Sequence, residues 1–206
     1  MPLSQPPYRP LATGFYHRDT VEIARALLGC RLTHAPPGGE PRSLVIVETE
    51  AYLGVADRAA HTWNARRTPR VAPMWGAGGY AYVYKVYGLH DCFNVVTREP
   101  GDPQAVLVRA GVPETWWRGE EVTRQELLRA SGPGLFCRTL GITRQHSGLP
   151  LNGPELVMSR APRRRFEVLV GTRIGVDYAG EHAGWPLRFA VAGCPAVTRA
   201  KSLTVR

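Results

Sequence analysis

The stretch Val45-Ile-Val-Glu-Thr-Glu-Ala-Tyr-Leu-Gly54 decides the fold of this chain and points to its chemistry. Its β-branched residues predict a strand over Leu44–Glu50 that ends at two glutamates. Side chains two apart on a strand share a face, so Glu48, Glu50 and Tyr52 point the same way. The apolar run before them indicates a buried strand end beside an aromatic site. The alternative is a solvated strand edge that carries two surface carboxylates.

A hairpin rich in tyrosine is predicted further along the chain, where strands Tyr80–Tyr87 and Cys92–Thr97 flank a turn. Strand alternation favours a structural role for Tyr80 and Tyr82, with buried rings and hydrogen-bonded hydroxyls. Tyr87 has the opposite parity and stands at the hairpin tip, where the chain can turn it outward. An exposed aromatic ring at a tight tip could act as a wedge between DNA base steps.

The remaining predicted elements are short and give an α+β fold. A single domain over residues 1–206 is expected, with a curved antiparallel β-sheet core, peripheral helices and a protruding β-hairpin. Residues 1–15 are expected to be irregular. The other elements are a helix from the N-cap Asp19 to Leu28 with Glu22 completing a capping box, a turn over His34–Arg42, a structured loop over 54–78, a strand over Ala105–Ala110, helices over Glu120–Ala130 and Pro133–Leu140, and strands over Glu167–Val170, Arg173–Val176 and Leu187–Val191.

Composition limits the class of protein and its partners. The net charge is +9, and apart from Lys85 and Lys201 the basic residues are 24 arginines. Guanidinium groups bind phosphate in a bidentate fork, which suits nucleic acid, although genomic base composition could also produce this arginine content. No run approaches the roughly 18 apolar residues of a membrane span, and no secretory signal is evident, so a cytoplasmic location is expected.

Metal chemistry is not expected from the sequence. The four cysteines are far apart and form no C-x-x-C pair, so buried free thiols are favoured over a zinc or iron–sulfur site. His61 has no second histidine or cysteine at ligand spacing. The Arg66–Arg70 run and the Arg163–Arg165 cluster could contact phosphates, but a run of charge is ordinarily a solvated surface.

A buried carboxylate beside aromatic rings suits the hydrolysis of a glycosyl bond. The carboxylate would act as a general base on one water, and the tyrosine faces would stack a nucleobase. Such reactions pass through an oxocarbenium-like state and normally use a second carboxyl as the acid for the leaving group. A base that already carries positive charge, as an alkylated purine does, makes that acid unnecessary. One carboxylate, Glu48 or Glu50, could then suffice.

Four motifs that occur in order carry a family resemblance. They are V-E-T-E-A-Y-L-G (47–54), H-x6-T-P-R (61–70), Y-V-Y-x2-Y-G-x5-N (82–94) and V-L-V-R-A (106–110). Together they resemble the alkyladenine (3-methyladenine) DNA glycosylase family of base-excision repair, and the likeness covers almost the full chain. It implies a monomeric, monofunctional, bacterial-type enzyme without metal or cofactor that works on DNA of the nucleoid. The enzyme would flip a damaged purine out of duplex DNA and hydrolyse its bond, leaving an abasic site. Substrates would be 3-methyladenine and 7-methylguanine, with hypoxanthine and ethenoadenine less certain.

The resemblance assigns roles by motif position. Glu50 matches the general base, and Arg109 matches the arginine that holds the water and the glutamate. The remaining matches are the base walls Tyr52 and Tyr84, the pocket residues His61 and Asn94, the backbone carbonyl of Ile174 as a further water contact, the intercalating Tyr87, and the DNA-contacting Arg66, Thr68, Arg70, Met74, Leu89 and His90.

Two departures from the family pattern and two competing functions stay open at this stage. The loop Thr62–Ala65 lacks the glycines of the family, and two residues are inserted around Pro100–Pro103. A non-catalytic module that recognises distorted DNA is one competing function, but it would gain nothing from Glu50. A metal-dependent nuclease is the other. It would need clustered acidic ligands, and the chain has only five aspartates, which are scattered.

Overall fold

The strand predicted from the first motif lies at the centre of the sheet. In the computed structural model, which describes residues 9–199 and 202–205, this strand is β2 (Arg42–Tyr52), and most of its residues are buried. Its apolar first half packs into the main hydrophobic core. Apolar burial of this kind is the dominant stabilising contribution in a domain of this size.

Nine strands in the described residues form one antiparallel sheet, which is not closed into a barrel. The neighbours along the sheet follow the order β3-β4-β5-β2-β8-β7-β9, and β1 pairs with both β2 and β6. The strands are β1 (Cys30–His34), β2 (Arg42–Tyr52), β3 (Ala81–Val86), β4 (His90–Thr97), β5 (Gln104–Val112), β6 (Leu156–Arg160), β7 (Val168–Gly171), β8 (Arg188–Val191) and β9 (Leu203–Val205). The predicted α+β single domain is confirmed.

A β-bulge in β2 positions the two glutamates. The pairing of β2 with β5 shifts register on both sides of Glu48, whereas Glu50 lies opposite Leu107 in regular register. A bulge bends its strand and redirects side chains, and bulges are frequent beside active sites. On the other edge, β8 pairs with β2 only over 48–50. Both glutamates are therefore held in the middle of the sheet.

Four short α-helices in the described residues pack around the sheet. They are α1 (Thr20–Ala26), α2 (Glu114–Trp117), α3 (Arg124–Leu128) and α4 (Pro133–Leu140). Asp19 caps α1 as predicted, since its carboxylate accepts from the backbone N–H groups of Val21 and Glu22. The predicted end of α4 is also confirmed, because Gly141 closes it in the left-handed conformation (φ 74°).

Three element predictions need correction. The helix over Glu120–Ala130 is shortened to α3, because Gly119 takes φ 91° and the capping box of Thr123 starts the helix later. Residues 173–176 are not a strand, because Gly175 turns the chain (φ 74°) and the Arg173 side chain is held by a buried aspartate. Strand β6 was not predicted; it pairs with β1.

The loop and the N-terminal segment match their predictions in broad terms. The loop over 54–78 is ordered by short 3₁₀ turns at Gly54–Ala56, Trp63–Ala65 and Ala72–Trp75. The predicted irregular N-terminal segment is described only from residue 9, where one 3₁₀ turn follows. None of the helices in the described part of the chain is long and apolar enough to cross a bilayer.

Candidate active site

A pocket of about 400 Å³ opens where β2, β3, β4 and β5 meet the segment after β7. This volume is typical of a site for one small ligand. Its lining combines aromatic rings with a few polar groups, and it contains most of the residues singled out by sequence. These include Tyr52, His61, Arg70, Met74, Tyr82, Tyr84, Tyr87, Asn94, Arg109 and Ile174.

Glu50 is fully buried and does not itself line the pocket, but its partners Tyr52, Arg109 and Ile174 do. Its Oε2 accepts a hydrogen bond from the Tyr52 hydroxyl at 2.9 Å. Its Oε1 accepts from the Ile174 backbone N–H at 2.9 Å and lies 3.2 Å from Nη1 of Arg109. These three groups hold the Glu50 carboxylate directly behind the pocket lining.

Glu48 occupies a different environment from Glu50 although both are fully buried. Its carboxylate accepts from Nε of Arg109 at 3.0 Å and from Nη1 of Arg188 at 3.3 Å. Thr198 adds its backbone N–H at 2.8 Å and its hydroxyl at 2.8 Å. These donors occupy both oxygens. This packing gives Glu48 a supporting position, because it anchors the arginine that also pairs with Glu50.

Arg109 joins the two glutamates. Burial lowers the pKa of its guanidinium, but Glu50 and Glu48 raise it by more, so the net pKa of Arg109 is raised. The residue therefore stays cationic and cannot act as a proton donor. Its role in the pocket is to orient charge.

Ile174 is positioned by a buried ion pair that the sequence did not reveal. Arg173 forms a bidentate ion pair with Asp57. Its Nη2 donates to Oδ1 at 2.9 Å, and its Nη1 makes a second, shorter contact with Oδ2. Arg173 also donates to the Ala51 carbonyl at 3.0 Å. The pair has no exposed side-chain surface. It ties the segment after β7 to the end of β2, so the Ile174 N–H reaches Glu50. The predicted contact of the Ile174 carbonyl with water stays a prediction.

Aromatic rings form the pocket walls. The Tyr84 ring packs edge-on against His61 with centroids 4.5 Å apart, and it lies 5.4 Å from the ring of Tyr82. Tyr82 is 1% exposed and its hydroxyl lies 2.8 Å from Nδ1 of His61, as expected of a framework residue. Tyr80 does not fit that prediction, since it is 41% exposed. It precedes β3 and pairs only through an isolated bridge to Pro150.

His61 is neutral at physiological pH. Burial lowers its pKa to about 4, helped by the nearby charges of Arg70 and Arg66. A neutral imidazole is a poor proton source for a leaving group. Burial also raises the pKa of Tyr52 and of Tyr84 well above the ordinary tyrosine value, with Glu50 contributing to both. These hydroxyls therefore keep their protons.

Asn94 and Tyr87 occupy opposite ends of the site. Asn94 is buried, and its amide N–H groups donate to the carbonyls of Tyr82 at 3.0 Å and Cys92 at 3.3 Å, which fixes its side chain on the pocket floor. Tyr87 is 91% exposed at the β3–β4 turn, with φ 51°. A bulky residue rarely adopts positive φ, and strained turns of this kind often mark functional sites. The side chain is thus presented outward, beside Gly88.

Of the six predicted DNA contacts, five are exposed, and Arg70 and Met74 line the pocket. Leu89 is 74% exposed and His90, Arg66 and Thr68 are exposed. Arg70 is exposed as well, with its guanidinium 5.3 Å from the centroid of the Tyr84 ring. Met74 is only 2% exposed and packs with Tyr82 and Val96. Contact with DNA stays a prediction for all six.

The loop that lacks the family's glycines still takes a glycine-like path. Asn64 and Ala65 have φ values of 55° and 56° in succession. Asparagine tolerates this left-handed region, whereas alanine is strained there. The departure noted in the sequence therefore changes the local strain rather than the direction of the backbone.

Comparison with known proteins places the chain among DNA repair enzymes. A family model described as methylpurine-DNA glycosylase matches residues 14–195. A protein of Desulfitobacterium hafniense (strain Y51), named provisionally as a 3-methyladenine DNA glycosylase, is 42% identical over 193 residues, which cover 87% of this chain and 93% of its own length. One of Bacillus cereus (strain G9842) with the same name is 41% identical over 199 residues, covering 90% of this chain and 97% of its own.

Proposed function

The chain belongs to the methylpurine-DNA glycosylase family, and we propose that it removes alkylated purines from duplex DNA by hydrolysing the N-glycosidic bond. The observation that carries this proposal is Glu50, a fully buried carboxylate whose three partners all line an aromatic pocket. A module that only bound DNA would gain nothing from a carboxylate held behind its base pocket.

In the proposed reaction Glu50 removes a proton from one water as that water attacks the anomeric carbon. The glycosidic bond breaks, its electrons leave with the purine, and the proton stays on Glu50 until it passes to solvent. Arg109 is paired with both glutamates. It keeps the Glu50 carboxylate oriented and stabilises the negative charge of that carboxylate before the water attacks. A positioned general base typically accelerates such a step by about 10²–10⁴-fold.

The pocket supports base flipping as the route to this geometry. Extruding a nucleotide costs a few kcal/mol, and stacking on an aromatic ring returns roughly 1–3 kcal/mol per base. We propose Tyr52 and Tyr84 as the two faces that hold the flipped purine, since both line the cavity. Tyr87, 91% exposed at the hairpin tip, is the proposed wedge that fills the gap in the duplex.

The range of lesions follows from which pocket groups can give a proton. With His61 neutral and both wall tyrosines protonated, none of them is a strong acid for the leaving base. Cationic 3-methyladenine and 7-methylguanine depart without such help. We therefore propose them as the main substrates and expect neutral hypoxanthine and ethenoadenine to be released more slowly. Electron-rich tyrosine faces also favour a cationic purine.

The proposed working unit is one chain on bacterial nucleoid DNA. The named relatives are bacterial, and their chromosomal DNA lies in the cytoplasm.

One assay tests this function. Duplexes that carry a single lesion are incubated with the protein and EDTA, and abasic sites are revealed by alkali. Wild type is expected to release 7-methylguanine, and Glu50→Gln is expected to lose about 10²–10⁴-fold in single-turnover rate. Glu120→Gln, which changes an exposed glutamate, is the matched control. Strand cleavage without alkali, or equal rates for both variants, would overturn the proposal.

A further inference from the structure

Three potential metal ligands converge outside the pocket. His34 ends β1, His146 ends a 3₁₀ turn at Arg144–His146, and Glu155 immediately precedes β6. One ligand atom from each lies within 4.8 Å of the other two. The residues are separated by up to 121 positions in sequence, so no motif spacing could have revealed them. None of the three lines the pocket.

The hydrogen bonding of His34 leaves a lone pair facing this cluster. Its Nδ1 lies 2.8 Å from the Leu140 carbonyl oxygen, which can only accept, so Nδ1 carries the proton. In the neutral ring Nε2 is then an acceptor. This atom is buried without a hydrogen-bond partner, and it lies 3.7 Å from Oε1 of Glu155. His34 itself is 4% exposed. In this tautomer, Nε2 of His34 and Oε1 of Glu155 are therefore two acceptor atoms that face each other.

His146 completes the set from the other side. Its Nε2 lies 3.3 Å from Oε1 of Glu155. Its Nδ1 accepts from the Thr143 backbone N–H at 2.9 Å and also lies 3.0 Å from the Thr143 carbonyl. Metal binding requires the tautomer in which Nδ1 donates to that carbonyl instead, which gives up the bond from the Thr143 N–H and frees Nε2 as a second lone pair. Metal-bound histidines commonly donate their other ring N–H to a backbone carbonyl in this way.

We propose that His34, His146 and Glu155 bind one divalent transition-metal ion of the zinc type. Two imidazoles and one carboxylate are a frequent ligand set for zinc, and a water would fill the fourth position. Zinc bonds of about 2.0–2.1 Å in a tetrahedral site separate the ligand atoms by about 3.3–3.4 Å. One separation already has this value and a second exceeds it by a few tenths. The third, between the two histidine nitrogens, lies within 4.8 Å, so binding requires side-chain rotations that bring these two nitrogens to the tetrahedral spacing.

The site would act as a structural clamp. Main-chain bonds already fix Glu155 beside β1, since the Ala35 N–H donates to its carbonyl at 2.8 Å. The ion would add a link from this strand pair to the segment that follows α4. It takes no part in the glycosylase reaction, so the two proposals fail independently.

The test measures zinc binding by the full-length protein directly. After incubation with ZnCl₂ and desalting, wild type is expected to retain about one zinc per chain by mass spectrometry of the metal. Competition with a chromophoric chelator is expected to show an affinity at least about tenfold weaker for Glu155→Gln and His146→Gln, since loss of a residue that only orients a ligand costs that much. Substituted Co²⁺ should give the d–d spectrum of a tetrahedral ion.

A control variant and a second measurement make the test decisive. His90→Gln removes an exposed histidine and should bind zinc like wild type. Zinc at a hundredfold excess over the wild-type Kd should raise the Tm of wild type by roughly 5–10 °C and that of Glu155→Gln by about half as much or less. The proposal is overturned if wild type retains no zinc, or if all variants bind it equally. In that case an imidazolium ring of His34 paired with Glu155 explains the contact.

Discussion

Glu48 and Glu50 are two residues apart on one strand and equally buried, yet their surroundings differ in one respect. The carboxylate of Glu48 is enclosed by Arg109, Arg188 and Thr198. The partners of Glu50 are instead pocket residues, since Tyr52, Arg109 and Ile174 all line the cavity of about 400 Å³. We therefore propose Glu48 as a structural anchor and Glu50 as the reactive group.

The comparison shows that burial of a carboxylate does not by itself mark a catalytic residue. What distinguishes Glu50 is that its three partners all lie on the wall of a space large enough for one small ligand. The β-bulge at Glu48 and the shared partner Arg109 connect the two environments. A substitution at Glu48 should therefore change mainly stability, and one at Glu50 mainly activity.

The largest expected effect on stability comes from Glu48→Gln. Loss of this charge leaves the buried Arg188 without its carboxylate and removes one of the two carboxylates paired with Arg109, which should lower the free energy of unfolding by about 3–5 kcal/mol. Glu50→Gln should lower it by no more than about 1 kcal/mol, because Arg109 stays paired with Glu48. Urea unfolding monitored by circular dichroism measures both. If the two variants unfold at the same midpoint, the distinction between anchor and reactive group is wrong.

A smaller effect is expected from a substitution that acts on Glu50 indirectly, through the segment that holds Ile174. Arg173→Lys keeps the charge but loses the bidentate fork on Asp57 and the bond to the Ala51 carbonyl. The Ile174 N–H should then hold Glu50 less firmly, and kcat should fall about tenfold with little change in KM. Single-turnover and steady-state kinetics check this. Arg98→Lys, at an exposed ion pair, is the matched control, and equal kinetics for both variants would contradict the positioning role.

The sequence predicted the parts of this site that lie within one strand or one motif. Period-two alternation placed Glu50 and Tyr52 on one face of β2, and the structure joins them by a hydrogen bond. It could not predict the Asp57–Arg173 pair, whose members are 116 residues apart. The prediction of a strand over residues 173–176 was also wrong. Their apolar, β-branched pattern is typical of a strand, but it does not show that the Arg173 side chain pairs with Asp57.

The convergence of His34, His146 and Glu155 was missed for the same reason. Each residue lies at the end of a different element, and their approach depends on the pairing of β1 with β6. Strand β6 was itself not predicted, so the sequence had no means of bringing Glu155 to His34. Long-range pairing of this kind has no local signal in a single sequence.

The smallest expected effect is on the pKa of His61, the neutral ring in the pocket. Burial is the main cause of the low pKa of His61, about 4, and Arg70 is the second. Arg70→Gln should therefore raise this pKa by less than about one unit, equivalent to under about 1.4 kcal/mol. Imidazole resonances followed by NMR against pH measure the shift. Arg67→Gln is the control, since its guanidinium lies over Trp75 and does not contribute to the pKa of His61.

The same titration fixes the sign of a pH effect on stability. The folded pKa of His61, about 4, lies below that of the unfolded chain, about 6.5. Between these values the unfolded state binds more protons, so the contribution of His61 to stability is complete above about pH 6.5 and is lost as the pH falls toward 4. Arg70→Gln should reduce this loss by the free energy of its pKa shift. An unchanged His61 pKa in that variant would mean that burial and Arg66 keep the ring neutral without Arg70.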